Sequence, residues 1–195
     1  MSKAAQKIID TCRANRNEAG VSQIAAKDVA VLVRDRLKRE FPGVKFSVRS
    51  DSNSVDIYWT DGPTGSQVDA VAGEYKFGGF DGMIDLAYCK TNWILPDGSM
   101  QTAHCSGTRG SMGTVDAETS DCPAPGAVMV KYGPRYVFTH RSISDARMAE
   151  LVKAAESRYG FQVPEGTSPH SYNVPKFGEY ATTLAYRMER ELAGT

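Results

Sequence analysis

Two spacings of apolar residues alternate along the chain, one of three to four residues and one of two, and together they predict its elements. Ala5, Ile8, Ile9 and Cys12 share one stripe and predict a short amphipathic helix over 2–15, broken by Glu18-Ala19-Gly20. Ala25, Val29, Val33, Leu37 and Phe41 recur every fourth residue and predict a second helix over 25–41, wet along Lys27, Arg34, Lys38 and Arg39. Pro42-Gly43 stops it. The spacing then drops to two. Val44, Phe46 and Val48 alternate with Lys45, Ser47 and Arg49 in a strand over 44–49. After a polar hairpin loop at 50–54, a second strand over 55–60 turns Val55, Ile57 and Trp59 inward and Asp56 and Tyr58 outward.

Asp61-Gly62-Pro63 turns the chain into a third helix, with Thr64 and Gln67 spaced as a capping box and Val68, Val71, Ala72 and Tyr75 as its buried stripe. Gly78-Gly79 ends that helix, and Asp81-Gly82 makes a second tight turn. Residues 86–105 read as a long hairpin around Pro96-Asp97-Gly98, and 106–126 as a long exposed loop without periodicity. A further strand is expected over 136–141. A fourth helix follows over 144–159, capped by Ser144, stapled by Ile143 against Met148 and closed by Gly160. A linker rich in Pro and Gly then leads to a last helix opened by Pro175, striped with Phe177, Tyr180, Ala181, Leu184, Met188 and Leu192. That stripe requires a cover, either the same domain or a dimer mate.

The expected fold is α+β: an antiparallel sheet of about four or five strands, with helices two, three and four on one face and an appended C-terminal helix. In domain terms, 1–160 form one unit, with a core of 25–85 and 130–160 and an inserted hairpin and loop at 86–130. Residues 161–195 are a linker plus helix.

The strings FPGVKFSVRSDSNSVDIYWTDGPT, GGFDGMID and YGPRYVFTHR resemble one of the large polyvalent protein-associated domain families, over 25–85 and 130–141. Those domains occur in phage and plasmid proteins, alone or within very long polyproteins delivered with incoming DNA. The resemblance implies a small α+β domain on a mobile element, with a role in protecting that element from host defence. It carries over no catalytic residue.

Charge adds an asymmetry. Lys plus Arg and Asp plus Glu number 23 each, so no net field draws the protein to nucleic acid or membrane. Residues 1–50 nevertheless carry a basic surplus, and 51–130 are acidic, with only Lys76, Lys90 and Arg109 opposing the acids. The two halves complement each other within one fold or serve a charged partner. No apolar run approaches a membrane span and no secretory leader is read, so a cytoplasmic protein without a membrane partner is expected. The four cysteines, Cys12, Cys89, Cys105 and Cys122, then read as free thiols.

Candidate chemistry is sparse. Asp61, Asp81 and Asp85 would hold a divalent cation if their loops converge, yet each also fits ordinary turn chemistry. Cys89, His104, Cys105 and Cys122 have loose spacing for zinc, and His104 and Cys105 are strand neighbours that point to opposite faces. A Cys–His nucleophile pairing Cys89 or Cys122 with His104 or His140 is not selected by any spacing. The glycines at 78, 79 and 82 follow a helix, the reverse of a phosphate loop, and Gly107–Ser111 with Arg109 is a weak anion nest. No metal or cofactor is therefore expected.

The resemblance implies the function: a non-catalytic accessory protein that binds and inhibits a host defence complex, of anti-CRISPR or anti-restriction type. Its expected contacts are Tyr58, Asp61, Phe80, Asp81, Arg109, Asp116, Glu118 and Asp121. The alternative is a nucleic-acid binder that uses Arg34, Lys38, Arg39, Lys45 and Arg49 with Tyr58 as a stacking platform. An enzyme with a Cys/His or Asp/metal site comes third.

Overall fold

The computed structural model describes residues 1–81, 85–106, 119 and 121–193. Two compact units divide the chain, Met1–Arg141 and Ser142–Thr195. Unit 1 contains helices α1 (Lys3–Ala14), α2 (Ala26–Glu40) and α3 (Gly65–Ala72), the last running into a 3₁₀ turn at Gly73–Tyr75. Its strands are β1 (Val21–Gln23), β2 (Ser47–Ser50), β3 (Ser54–Thr60), β4 (Gly78–Asp81), β5 (Leu86–Ile94), β6 (Met100–Cys105), β7 (Val128–Lys131) and β8 (Tyr136–Ser142).

These strands form two sheets. One is three-stranded in the order β2-β3-β8, and the other is five-stranded in the order β1-β7-β5-β4, with β6 also on β5. The larger sheet is mixed, where an antiparallel one was expected: Val21, Ser22 and Gln23 run parallel to Met129, Val130 and Lys131. Three residues are too few to show a period of two, which is why the chain between α1 and α2 read as a break. β4 corrects a second expectation. Gly78 and Gly79 enter the ladder opposite Cys89 and Tyr88, and a Cβ on Gly79 would stand 2.5 Å from the Tyr88 hydroxyl oxygen. The Tyr88 ring lies where a side chain would go, so glycine serves here as a strand residue.

The core of unit 1 lies between helices and sheets. Ile9 and Cys12 of α1, Val29, Leu32, Val33 and Leu37 of α2, and Val68 and Ala72 of α3 meet Val48, Val55, Ile57, Trp59, Ile94, Val128, Val130 and Val137. The capping box on α3 is present: Gln67 N donates to Thr64 Oγ1 at 3.3 Å and Thr64 N to Gln67 Oε1 at 2.8 Å. Trp59 donates its indole N–H to the Pro63 carbonyl at 2.9 Å, which ties the end of β3 to the turn that starts α3.

Unit 2 contains α4 (Asp145–Tyr159), the two-stranded β9 (Asn173–Val174) and β10 (Glu179–Tyr180), and α5 (Ala181–Ala193). The buried face of α4 packs on α5 and β9: Met148, Leu151 and Val152 meet Ala185, and Ala155 meets Ala181, Leu184 and Val174. The Ser144 cap and the left-handed Gly160 closure stand as expected. α5 starts later than Pro175, because Pro175 and Gly178 form the turn between β9 and β10, with Gly178 at φ 65° and donating to the Val174 carbonyl.

Candidate functional site

Among the described residues of unit 1, the outer face of the β2-β3-β8 sheet gathers aromatic, cationic and acidic side chains on one exposed surface. The pleat makes it so. Val48, Val55, Ile57, Trp59 and Val137 turn into the core, so Arg49, Asp56, Tyr58, Tyr136, Phe138 and His140 turn outward. Tyr58 is 39% exposed and Phe138 47%.

These side chains form a continuous row. The Tyr58 and His140 rings stack with centroids 4.5 Å apart and planes at 15°. The Arg49 guanidinium lies 5.5 Å from the Tyr58 centroid, and His140 Nε2 is 3.1 Å from Asp56 Oδ1. Cation, ring, ring and carboxylate thus succeed one another. Tyr136 and Phe138 extend the aromatic surface, stacked at 5.8 Å. The opposite side of β8 is fastened: Thr139 Oγ1 donates to Asp69 Oδ1 of α3 at 2.8 Å, and Arg141 Nη2 donates to the Gly62 carbonyl at 3.1 Å. The row therefore rests on a strand held from behind.

The expected contact residues do not assemble as a group. Tyr58 is at the centre of the row. Phe80 is exposed on β4 of the other sheet, and Asp81 is described in its backbone alone. Asp61 holds a left-handed turn at φ 57°, the ordinary turn role weighed above, and its carbonyl accepts from Arg141 Nε at 3.5 Å. Asp121 is exposed beyond β6, while Arg109, Asp116 and Glu118 lie outside the described residues, as does the Gly107–Ser111 stretch.

The basic set for nucleic acid is mostly occupied within the fold. Arg34 donates to the Val48 carbonyl at 2.7 Å. Arg39 donates to the Asp97 carbonyl at 2.6 Å and pairs with Asp35 at 3.4 Å. Arg49 covers Tyr58. Lys38 and Lys45 are exposed.

Among the described residues no three His, Cys, Asp or Glu side chains are grouped to hold a metal ion. Asp85, like Asp61, sits in a left-handed turn, at φ 53°. Cys105 is buried while its neighbour His104 is exposed, so the two face opposite ways. Cys12 is buried as well, and burial pushes its thiol up against the lowering effect of the Ser22 hydroxyl.

Sequence reasoning missed Tyr136 and Phe138, and weighed His140 only as the partner of a cysteine. The expected strand at 136–141 carries Val137 as its one unambiguous inward residue, with aromatic side chains on both sides of it, so its outer face was hidden. The signal was the pairing of YVFTHR with the alternation of β3, once the two strands are neighbours.

Among the described residues no helix is long and apolar enough to cross a membrane. Neither a curated protein nor a solved structure matches the chain. The family model described as Large polyvalent protein associated domain 29 matches residues 24–144, more than half of the chain. Between its bounds that match spans β2 to β8, the hairpin of β5 and β6 included. The chain belongs to the family of large polyvalent protein associated domain 29, whose proteins are associated with phages and mobile genetic elements.

Proposed function

We propose that this is a non-catalytic accessory protein of a mobile element, which binds and inhibits a host defence complex through the outer face of β2-β3-β8. The row Arg49–Tyr58–His140–Asp56, flanked by Phe138, carries the reading. Tyr and Arg at the centre of an exposed, rigidly backed patch are the residue types that dominate binding energy between proteins. Family membership supplies the mobile element; the anti-defence role is our inference from that company.

A protein partner is favoured over nucleic acid by the position of Asp56. A carboxylate inside the aromatic row repels a phosphate backbone, and Arg34 and Arg39, which would neutralise phosphates, are bound to carbonyls. Protein surfaces of mixed charge match this pattern.

The test is a protection assay. The chain is supplied in trans, and establishment of an incoming phage or plasmid is counted in defence-proficient and defence-deficient hosts. A gain confined to the proficient host, lost in a Tyr58→Ala/Phe138→Ala variant of unchanged Tm, is the expected result. An equal effect in both hosts rejects inhibition of defence. Salt-sensitive binding of purified chain to DNA that survives this double variant would move the function to nucleic acid.

A further inference from the structure

β5 changes its partner half-way along one edge. β6 runs along the other edge; on this one, β4 pairs Gly78 with Cys89, and β7 pairs Val130 with Asn92. The two strands end facing each other across Lys90 and Thr91. At the same place the β5–β6 register shifts between Thr91 and Asn92, a bulge of the kind found beside binding sites. The hand-over leaves a cleft of about 320 Å³, within the range of small-molecule sites, lined among others by Asn53, Phe77, Cys89, His104, Lys131 and Arg135.

The backbone around this cleft is shaped at some expense. Tyr132 holds φ 69°, which a residue with a Cβ rarely adopts and which persists where surrounding structure imposes it. Gly133 follows, pressed so close to the Phe77 ring that a Cβ would overlap it. On the facing side a Cβ on Gly78 would meet the Tyr88 carbonyl oxygen at 2.5 Å. Both GGF and YGPR, strings that mark the family resemblance, therefore meet here. Phe77 N donates to the Pro134 carbonyl at 2.9 Å and locks the two together.

The charge of the cleft is one-sided. No Asp or Glu lines it among the described residues. Arg135 is half-buried, with Nη2 3.9 Å from Cys89 Sγ, and Lys131 Nζ stands 4.8 Å from the Tyr132 ring centroid; neither meets a carboxylate among the described residues. A guanidinium fork and an ammonium lining a small cavity suit a dianionic oxyanion, and Phe77 with the 67%-exposed Tyr132 gives a planar group a surface.

We propose that this cleft binds a phosphate monoester of nucleotide size, carried on a free nucleotide or on the end of a nucleic-acid strand. Lys131 and Arg135 hold the phosphate, and Tyr132 borders the base. No bond is made or broken.

Cys89 makes the site measurable, since it lines the cleft while the exposed Cys122 does not. Alkylation of both thiols is followed by mass spectrometry on the purified chain, with AMP, with adenosine, and with a short oligonucleotide bearing a 5′-phosphate or a 5′-hydroxyl. The expected result is several-fold slower alkylation of Cys89 alone, with AMP or with the 5′-phosphorylated strand, and none with adenosine or the hydroxyl strand. Protection by AMP assigns a free nucleotide; protection by the phosphorylated strand alone assigns a strand end. The Lys131→Ala/Arg135→Ala variant weakens binding roughly tenfold to a hundredfold at unchanged Tm. Cys89 rates indifferent to every phosphate ester, or protection that survives the double variant, overturn the site. No host partner enters this test, so it stands apart from the defence reading.

Discussion

The middle of β5 and the turn beyond its far end treat their cations in opposite ways. At the far end, beyond Ile94, the turn Pro96-Asp97-Gly98 is enclosed by matched charge. Arg36 meets Asp97 at 3.1 Å and Glu40 at 3.2 Å, Arg39 meets Asp35 and the Asp97 carbonyl, and the buried Tyr75 hydroxyl donates to the Gly98 carbonyl at 2.7 Å. Half-way along β5, Lys131 and Arg135 border a cavity and meet no carboxylate among the described residues. Paired charge at a turn fixes geometry and contributes modestly to stability. Like charges held around a cavity contribute nothing to stability, and a strained Tyr132 subtracts from it. The paired turn is a joint; the open cleft keeps features that a fold alone would not select.

Substitutions at the cleft and at the turn sharpen that contrast. The largest effect belongs to Gly133→Ala: a Cβ driven into the Phe77 ring destabilises unit 1 by about 1–3 kcal/mol in urea denaturation, and a loss under about 0.5 kcal/mol would show that the close approach is not enforced. Tyr75→Phe comes next. It leaves the Gly98 carbonyl without its buried donor and costs about 1–2 kcal/mol, read in the same titration; a neutral result would mean that water replaces the hydroxyl.

Asp97→Asn costs less, under about 1 kcal/mol at neutral pH, because half of that side chain is exposed and screened. Its sign depends on pH. Desolvation pushes the Asp97 carboxyl up, but Ser99 through its hydroxyl and N–H, with Arg36 and Arg39, holds it below its ordinary value. The native carboxylate thus stabilises the fold above the ordinary carboxylate range, and that benefit fades as pH falls through and below it. Stability curves of variant and native chain should converge in acid; parallel curves would remove the electrostatic account. Arg135→Ala is the smallest, within about 0.5 kcal/mol by thermal or chemical melting. A larger loss would make Arg135 another joint and weaken the contrast between cleft and turn.

Where a single stretch carried its own period, the sequence was easily read. The β2–β3 hairpin follows the alternation of Val48, Val55, Ile57 and Trp59, and the Thr64–Gln67 box and the Ser144 and Gly160 ends are local chemistry. Tyr58 was legible for the same reason. β1 and β7 were not, since three and four residues hold no measurable period and their pairing is far apart in sequence. β4 was hidden because its glycines read as a helix end, whereas their meaning lies in the Tyr88 ring above Gly79. The cleft draws Asn53, Phe77, Cys89, His104 and Arg135 from separate stretches, and no spacing in one of them announces the others.

The parallel β1–β7 pairing also sets an order of assembly. Val21 pairs with Met129, so most of unit 1 must be synthesised and brought round before β1 has an edge to join, and such long closures form late. Gln23 pairs with Lys131, and Ile24 N donates to the Lys131 carbonyl at 3.1 Å. The residue that seats β1 is thus the same one that borders the cleft. In hydrogen exchange during refolding, the Ile24 amide should gain protection after the β2–β3 amides, and the cleft should become competent to bind only in that last phase.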